Sequence, residues 1–178
     1  MGMRISGPMR ITVLSTGGTI EKTYSELDGT LRNDRSVLDE ILRSLRLPDL
    51  FIRHVELMHK DSLDMTEEDR RVILEAVRRA AKSSDAVIVL HGTDTLSVTG
   101  ELLHRELGAD LAVPVILTGA MRPYEFRDSD ALQNVTEALL AARLVDPGVY
   151  VVMHNRVLRF PGVEKDRRTL TFHRVGGR

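Results

Sequence analysis

The strongest constraint on this chain is a rhythm in its sequence: short apolar runs of five to eight residues alternate with longer amphipathic stretches. A strand covered on both faces needs a near-continuous run of Val, Ile and Leu, whereas a helix covering it needs one apolar stripe. Alternation of the two is the signature of βα units and a parallel sheet. Residues 10–15, 51–58, 86–91, 114–118 and 149–154 read as strands, and 35–45, 66–81, 98–107 and 130–143 as helices. The second helix is the clearest. Thr66 followed by Asp69 has the spacing of an N-terminal cap, and Val72, Ile73, Ala76, Val77 and Ala80 recur at helical intervals. Five strands joined by four crossovers predict an α/β fold, a doubly wound parallel sheet with the flavodoxin-like order 2-1-3-4-5. Such sheets bind ligands where the winding reverses, here between strands one and three, just beyond Ser15 and His91. After Met153 the rhythm stops, and 155–173 reads as a loop and irregular extension carrying Pro161, Gly162 and basic residues.

A length of 178 residues suits one globular domain, placed at 10–174, with 1–9 as a disordered leader and Met9 as an alternative start. The 25 basic and 26 acidic residues nearly cancel, so no global field draws nucleic acid or an anionic membrane. Partners are therefore expected among small molecules and other protein surfaces. Without cysteine there is no thiolate nucleophile or thiolate metal site, and a reducing cytoplasm is the expected compartment. No apolar stretch approaches the ~18 residues that span a bilayer. The six histidines lack paired helical spacing, so no metal centre is expected.

Two loops at the predicted crevice carry candidate chemistry. The first strand runs into Thr16-Gly17-Gly18-Thr19, where paired glycines let backbone amides approach an anion, or simply turn the chain. The spacing is neither that of a P-loop nor that of the dinucleotide fingerprint, so no nucleotide cofactor is expected. The third strand runs into His91-Gly92-Thr93-Asp94-Thr95, in which Asp94 is either a reactive carboxylate or a turn cap. A threonine hydroxyl is a poor nucleophile unless a base or cation helps remove its proton. Lys165 is one candidate for that help. Lys22 is the local rival, expected to be a solvated loop charge, while His91 is expected to bond the backbone beneath the site. Asp61 and Ser62, after the second strand, can bind a ligand or cap a turn. Tyr24, in a polar loop, can reach the Thr19 hydroxyl.

Taken together, these residues resemble the bacterial-type L-asparaginase family. Thr16 to Ile20 (TGGTI), His91 to Thr95 (HGTDT) and Gly119 to Pro123 (GAMRP) match its signature segments in order and spacing, and Asp61 to Met65 (DSLDM) and Gly162 to Lys165 (GVEK) extend the likeness. The resemblance implies that Thr19 is the nucleophile and that Thr93, Asp94 and Lys165 assist it, with Tyr24 as a further helper. It implies attack on a side-chain amide, an acyl-enzyme ester, loss of ammonia and hydrolysis by water. Ser62, beside Asp61, would hold the substrate α-carboxylate, Asp94 its α-ammonium, and the main chain at Ala120 the amide nitrogen. Backbone amides near Thr19 and Thr93 would meet the oxyanion, and Gly18 would line the substrate.

Three departures qualify the likeness. Leu63 stands where many secreted members have a substrate-binding glutamine, Tyr24 follows Thr19 more closely than its counterpart in long members, and the sequence stops where those members begin a smaller C-terminal domain. The expectations that follow are a homo-oligomer built through the sheet edge and residues 155–174, a raised KM, and weak activity on glutamine. The alternatives are a glutaminase or related amidase, including the ammonia-releasing subunit of a tRNA-dependent amidotransferase, and a non-catalytic amino-acid-binding module.

Overall fold

Parallel pairing of buried strands organises the chain, of which the computed structural model describes residues 7–176. Strand β1 (Met9–Gly17) leads into a hairpin of β2 (Thr23–Ser25) and β3 (Thr30–Arg32). There follow α1 (Leu38–Arg43), β4 (Leu50–Lys60), α2 (Glu67–Ala80), β5 (Ala86–Leu90), α3 (Leu96–Leu107), β6 (Pro114–Thr118), α4 (Ala131–Leu144) and β7 (Gly148–Met153). Three short strands close the described chain: β8 (Arg156–Arg159), β9 (Val163–Asp166) and β10 (Thr171–Arg174). The main sheet has the order β4-β1-β5-β6-β7-β8. Its first five strands are parallel, in the expected 2-1-3-4-5 arrangement, and β8 adds an antiparallel edge. Strand β1 starts at Met9, which is buried, so the fold reaches into the segment expected to be leader; residues 1–6 lie outside the described residues.

The apolar runs are strands because both of their faces are covered. Strands β5, β6 and β7 are buried along their whole length. Ile11, Val13, Ile88, Ile116 and Val152 point to one side, packing with Leu38 and Ile41 of α1 and Val135 and Leu139 of α4. Leu14, Val87, Val89, Leu117 and Val151 point to the other, against Ile73 and Val77 of α2 and Leu103 and Leu107 of α3. Each such aliphatic side chain contributes about 1.5–3 kcal/mol through burial. Edge strand β4 is covered less, which accounts for its mixed sequence with Arg53, His54 and Glu56.

Helix α2 begins in a capping box: the Asp69 amide donates to the Thr66 hydroxyl oxygen at 3.2 Å, and the Thr66 amide donates back to Asp69 at 2.8 Å. Lys60, at the end of β4, also donates to both Asp69 oxygens and so ties the helix start to the sheet. Thr66→Ala is expected to cost about 1 kcal/mol, measured as a lower urea midpoint with an unchanged slope.

The expectation of an irregular 155–173 segment is corrected. β8 pairs with β7, and β9 with β10 forms a separate hairpin. Phe160, Val163 and Phe172 anchor this region in the core beside α3. Gly100 makes room for the anchor, since a Cβ there would lie 2.1 Å from the Phe160 ring. Glu101 accepts the Gly162 amide at 2.6 Å. Seating these residues on α3 brings β9, and with it Lys165, back to the loop that follows β5.

Candidate active site

Four loops meet at the C-terminal ends of β1, β4, β5 and β6, and glycine is what lets them touch backbone to backbone. A Cβ on Gly17 would lie 2.5 Å from the Lys60 nitrogen, one on Gly18 2.5 Å from the Gly92 nitrogen, one on Gly92 2.7 Å from Ser62 Oγ, and one on Gly119 2.3 Å from the His91 oxygen. Gly17 and Gly18 also have φ of 98° and 83°, a region that disfavours any side chain. The expected crevice between β1 and β5 thus gathers the segments around Thr19, Ser62, Thr93 and Ala120 into one place. A shallow groove of about 500 Å³ lies instead at the opposite strand ends, lined by Arg10, Thr12, Phe51 and Arg53, and contains none of these residues.

Lys165 completes the cluster from the hairpin. Its ammonium donates to Thr93 Oγ1 and to Asp94 Oδ1, each at 2.8 Å, with the lysine side chain largely covered. Among the described residues the Thr93 hydroxyl donates to the sulfur of Met121, at 3.5 Å, a weak acceptor from which that proton is readily redirected. Thr19 opens a 3₁₀ turn, Thr19–Glu21, is half-buried, and its hydroxyl has no partner among the described residues. Asp94 does not cap α3; its carboxylate is committed to Lys165.

Ser62 lies in a second 3₁₀ turn and is interlocked with the β5 loop. Its Oγ accepts the Thr95 amide at 3.3 Å, and its carbonyl accepts the Thr95 hydroxyl at 2.8 Å. Asp61 caps that turn by accepting the Leu63 amide, and it also accepts Lys22 Nζ at 2.8 Å. Lys22 is therefore not the solvated charge expected from sequence: it bridges the turn of Thr19 to the turn of Ser62, and its ammonium holds the Asp61 carboxyl below the ordinary range. Tyr24 makes no hydrogen bond to Thr19 among the described residues. It is 58% exposed, and its hydroxyl lies against Gly29 in its own hairpin.

Beneath the site His91 is fully buried, donating from Nδ1 to the Gly92 carbonyl at 2.8 Å and accepting the Thr99 hydroxyl at Nε2, also at 2.8 Å. Arg70 donates to Thr99 from the far side. Burial pushes the imidazole down to about 4, with the nearby Arg70 charge adding to the effect, so at neutral pH it is an uncharged strut under the Thr93 loop, as the sequence suggested.

The family model for Asparaginase, N-terminal matches residues 10–172. The chain belongs to this family. It is 31% identical to the L-asparaginase of Thermococcus kodakarensis over 157 residues, covering 88% of this chain and 48% of that protein. It is 35% identical to L-asparaginase 1 of Escherichia coli K12 over 156 residues, covering 84% and 45% respectively. A glutamyl-tRNA(Gln) amidotransferase subunit from Methanococcus vannielii is 30% identical over 149 residues, covering 83% of this chain and 34% of that one. The solved structure of the thermostable Thermococcus kodakarensis enzyme superposes with a TM-score of 0.84 at 30% identity, over 96% of this chain and 52% of that chain. The chain thus spans about half the length of the curated relatives it matches.

Within this asparaginase-family fold, a network that the sequence did not announce supports the Ala120 loop. Asp130 accepts the Met121 and Arg122 amides, each at 3.0–3.1 Å, and His154 Nε2 at 2.7 Å. Burial opposes its charge, but those amides and His154 outweigh it and hold the carboxyl below its usual range. Asn134 donates to the Gly119 carbonyl and accepts the His154 amide. Ser129-Asp130 before an amphipathic helix signals an N-cap. The side chain instead reaches back to the loop, which no local pattern marks.

Proposed function

We propose that the chain hydrolyses the side-chain amide of L-asparagine to aspartate and ammonia through an acyl-enzyme on Thr19. The observation that carries this reading is the convergence of the Thr19, Ser62, Thr93 and Ala120 loops around a hydroxyl, carboxylate and ammonium already bonded together. Thr19 Oγ attacks the amide carbon as its proton passes to a neighbouring base. The tetrahedral oxyanion is met by backbone amides near Thr19 and Thr93, each worth about 3 kcal/mol. The C–N bond breaks, ammonia leaves with the transferred proton, and water reverses the sequence to free Thr19. Thr93 and Lys165 are the proton-handling pair: Lys165, as the free amine at the moment of attack, takes the proton relayed through the Thr93 hydroxyl and, as the ammonium, returns it to the leaving nitrogen. Ser62 and Asp94 take the substrate α-carboxylate and α-ammonium, Asp61 orients Ser62, and the main chain at Ala120 receives the amide nitrogen. Tyr24, exposed on the hairpin that follows the Thr19 turn, is a further helper in this reading.

Likeness to a glutamyl-tRNA(Gln) amidotransferase subunit supports the alternative of a related amidase, for which L-glutamine, whose longer side chain presents the same amide, is the test substrate. Ammonia release from both amino acids, by the protein and by Thr19→Ala, tests both readings. Loss of asparagine turnover in the variant is the expected result. A variant as active as its parent would remove Thr19 from the mechanism. Stabilisation by aspartate without any turnover would instead mark a binding module.

A cytoplasmic location and a homo-oligomer belong to the same proposal. No helix among the described residues is long and apolar enough to cross a membrane. Leu140 and Leu144 on α4 and Val157 on edge strand β8 are exposed apolar residues that suit self-association. Sedimentation showing a fully active monomer would remove the oligomer from this reading.

A further inference from the structure

Glu21 is a fully buried carboxylate four residues after Gly17. Its Oε2 accepts the Gly17 amide at 2.8 Å, and its Oε1 accepts the Ser36 hydroxyl. Ser36 Oγ in turn accepts the Leu38 amide at the start of α1. The bond from residue 21 back to residue 17 closes a ring around Gly18, Thr19 and Ile20, and the bond to Ser36 anchors that ring to the first helix. The adjacent Lys22 is engaged by Asp61. No cation pairs with Glu21 among the described residues. The charged group facing it is Glu56 on β4, which itself sits beside His59. Burying an unpaired acid is costly, and a core that needed only filling is better served by an apolar residue. An ionised carboxylate does have one property useful here: it is acceptor-only, so two donors on opposite sides can be held by charge-assisted bonds.

We propose that Glu21 is a positioning residue for the amide hydrolysis: its carboxylate ties Gly17 to Ser36 and thereby fixes the backbone of the turn that presents Thr19. The inference rests on the reading of Thr19 as nucleophile. Substrate contacts assigned to Ser62 and Asp94 come from other loops, so loosening this turn lowers kcat while KM stays nearly constant. Burial pushes the Glu21 carboxyl up to about 7, opposed by the Ser36 and Gly17 bonds and reinforced by Glu56, so the clamp weakens as pH falls through neutrality.

The test compares the parent with Glu21→Gln and Glu21→Ala in asparagine turnover across about pH 5.5–8.5, alongside the Gly17 amide resonance over the same range. Glu21→Ala is expected to lose about a hundredfold in kcat per folded molecule, as misplacement of a reacting group does. Glu21→Gln, which keeps one acceptor for Gly17 and reaches Ser36 with its NH₂, is expected to restore kcat and to abolish the acid limb seen in the parent. The Gly17 resonance should titrate near 7 in the parent and stay flat in Glu21→Gln. Unchanged kcat in Glu21→Ala, or an acid limb that persists in Glu21→Gln, overturns the inference even if Glu21→Ala is too unstable to assay. A parent that releases no ammonia sinks the proposed function and the catalytic role with it, while the Gly17 titration still reports the clamp.

Discussion

Replacement of Lys165 by methionine is expected to cut asparagine turnover by about 10²- to 10⁴-fold, the range usual for loss of a proton-handling group. Among the described residues the ammonium alone is bonded to both Thr93 and Asp94, so its removal frees the threonine hydroxyl from its orientation and strips the carboxylate of its counter-charge. Methionine preserves most of the largely covered apolar stem, and Asp94 stays about one-third exposed and solvated. The fold should therefore hold, with a melting temperature close to the parent's. Lys165→Arg should fail nearly as completely. A guanidinium carries charge but does not give up its proton, and its planar fork fixes the directions of its donors where an ammonium is a compact, rotatable point charge. Steady-state kinetics on all three proteins decide the matter: Lys165→Met or Lys165→Arg within a fewfold of the parent would reduce Lys165 to a structural ion pair.

The residues that reach this site were legible to different degrees, for physical reasons. Strands β1, β5, β6 and β7 are buried on both faces, and that demand writes itself into the chain as runs of Val, Ile and Leu. Strand order then follows from chain connectivity, and the crevice from strand order. The hairpins β2–β3 and β9–β10 were not legible. Their strands are three or four residues long and only partly buried, and the second is held by three separated anchors, Phe160, Val163 and Phe172, whose partners come from α3. Lys22 and Asp61 are 39 positions apart, and nothing local to Lys22 marks it as paired. Glu21 and Asp130 were missed for the same reason. A carboxylate that bonds backbone amides looks, in a sequence, like any other surface acid. Glycines carried more information, because Gly17, Gly18, Gly92 and Gly119 stand where two backbones must touch.

The pH dependence of stability is expected to be nearly flat between pH 7 and 4.5 in the parent and steep in single variants. His91 takes up its proton near 6.5 when unfolded but only at about 4 in the fold. Over that interval the unfolded chain binds more protons, so its contribution is complete above 6.5 and is lost as pH falls, to the extent of roughly 3 kcal/mol. Glu21 behaves oppositely. Its carboxyl ionises near 4.5 when unfolded and at about 7 in the fold, so its contribution is complete below 4.5 and is lost as pH rises, by a comparable roughly 3 kcal/mol. The two slopes cancel across the shared interval. Asp61 and Asp130, whose carboxyls are held below their usual range, add an acid loss only beneath it. Glu21→Gln should then lose roughly 3 kcal/mol on acidification from pH 7 to 4.5, and His91→Gln should gain about as much. Any constant cost of substitution drops out of each difference, which urea unfolding at the two pH values measures directly. A Glu21→Gln protein as indifferent to pH as its parent would mean that His91 is not the buried neutral strut beneath the Thr93 loop.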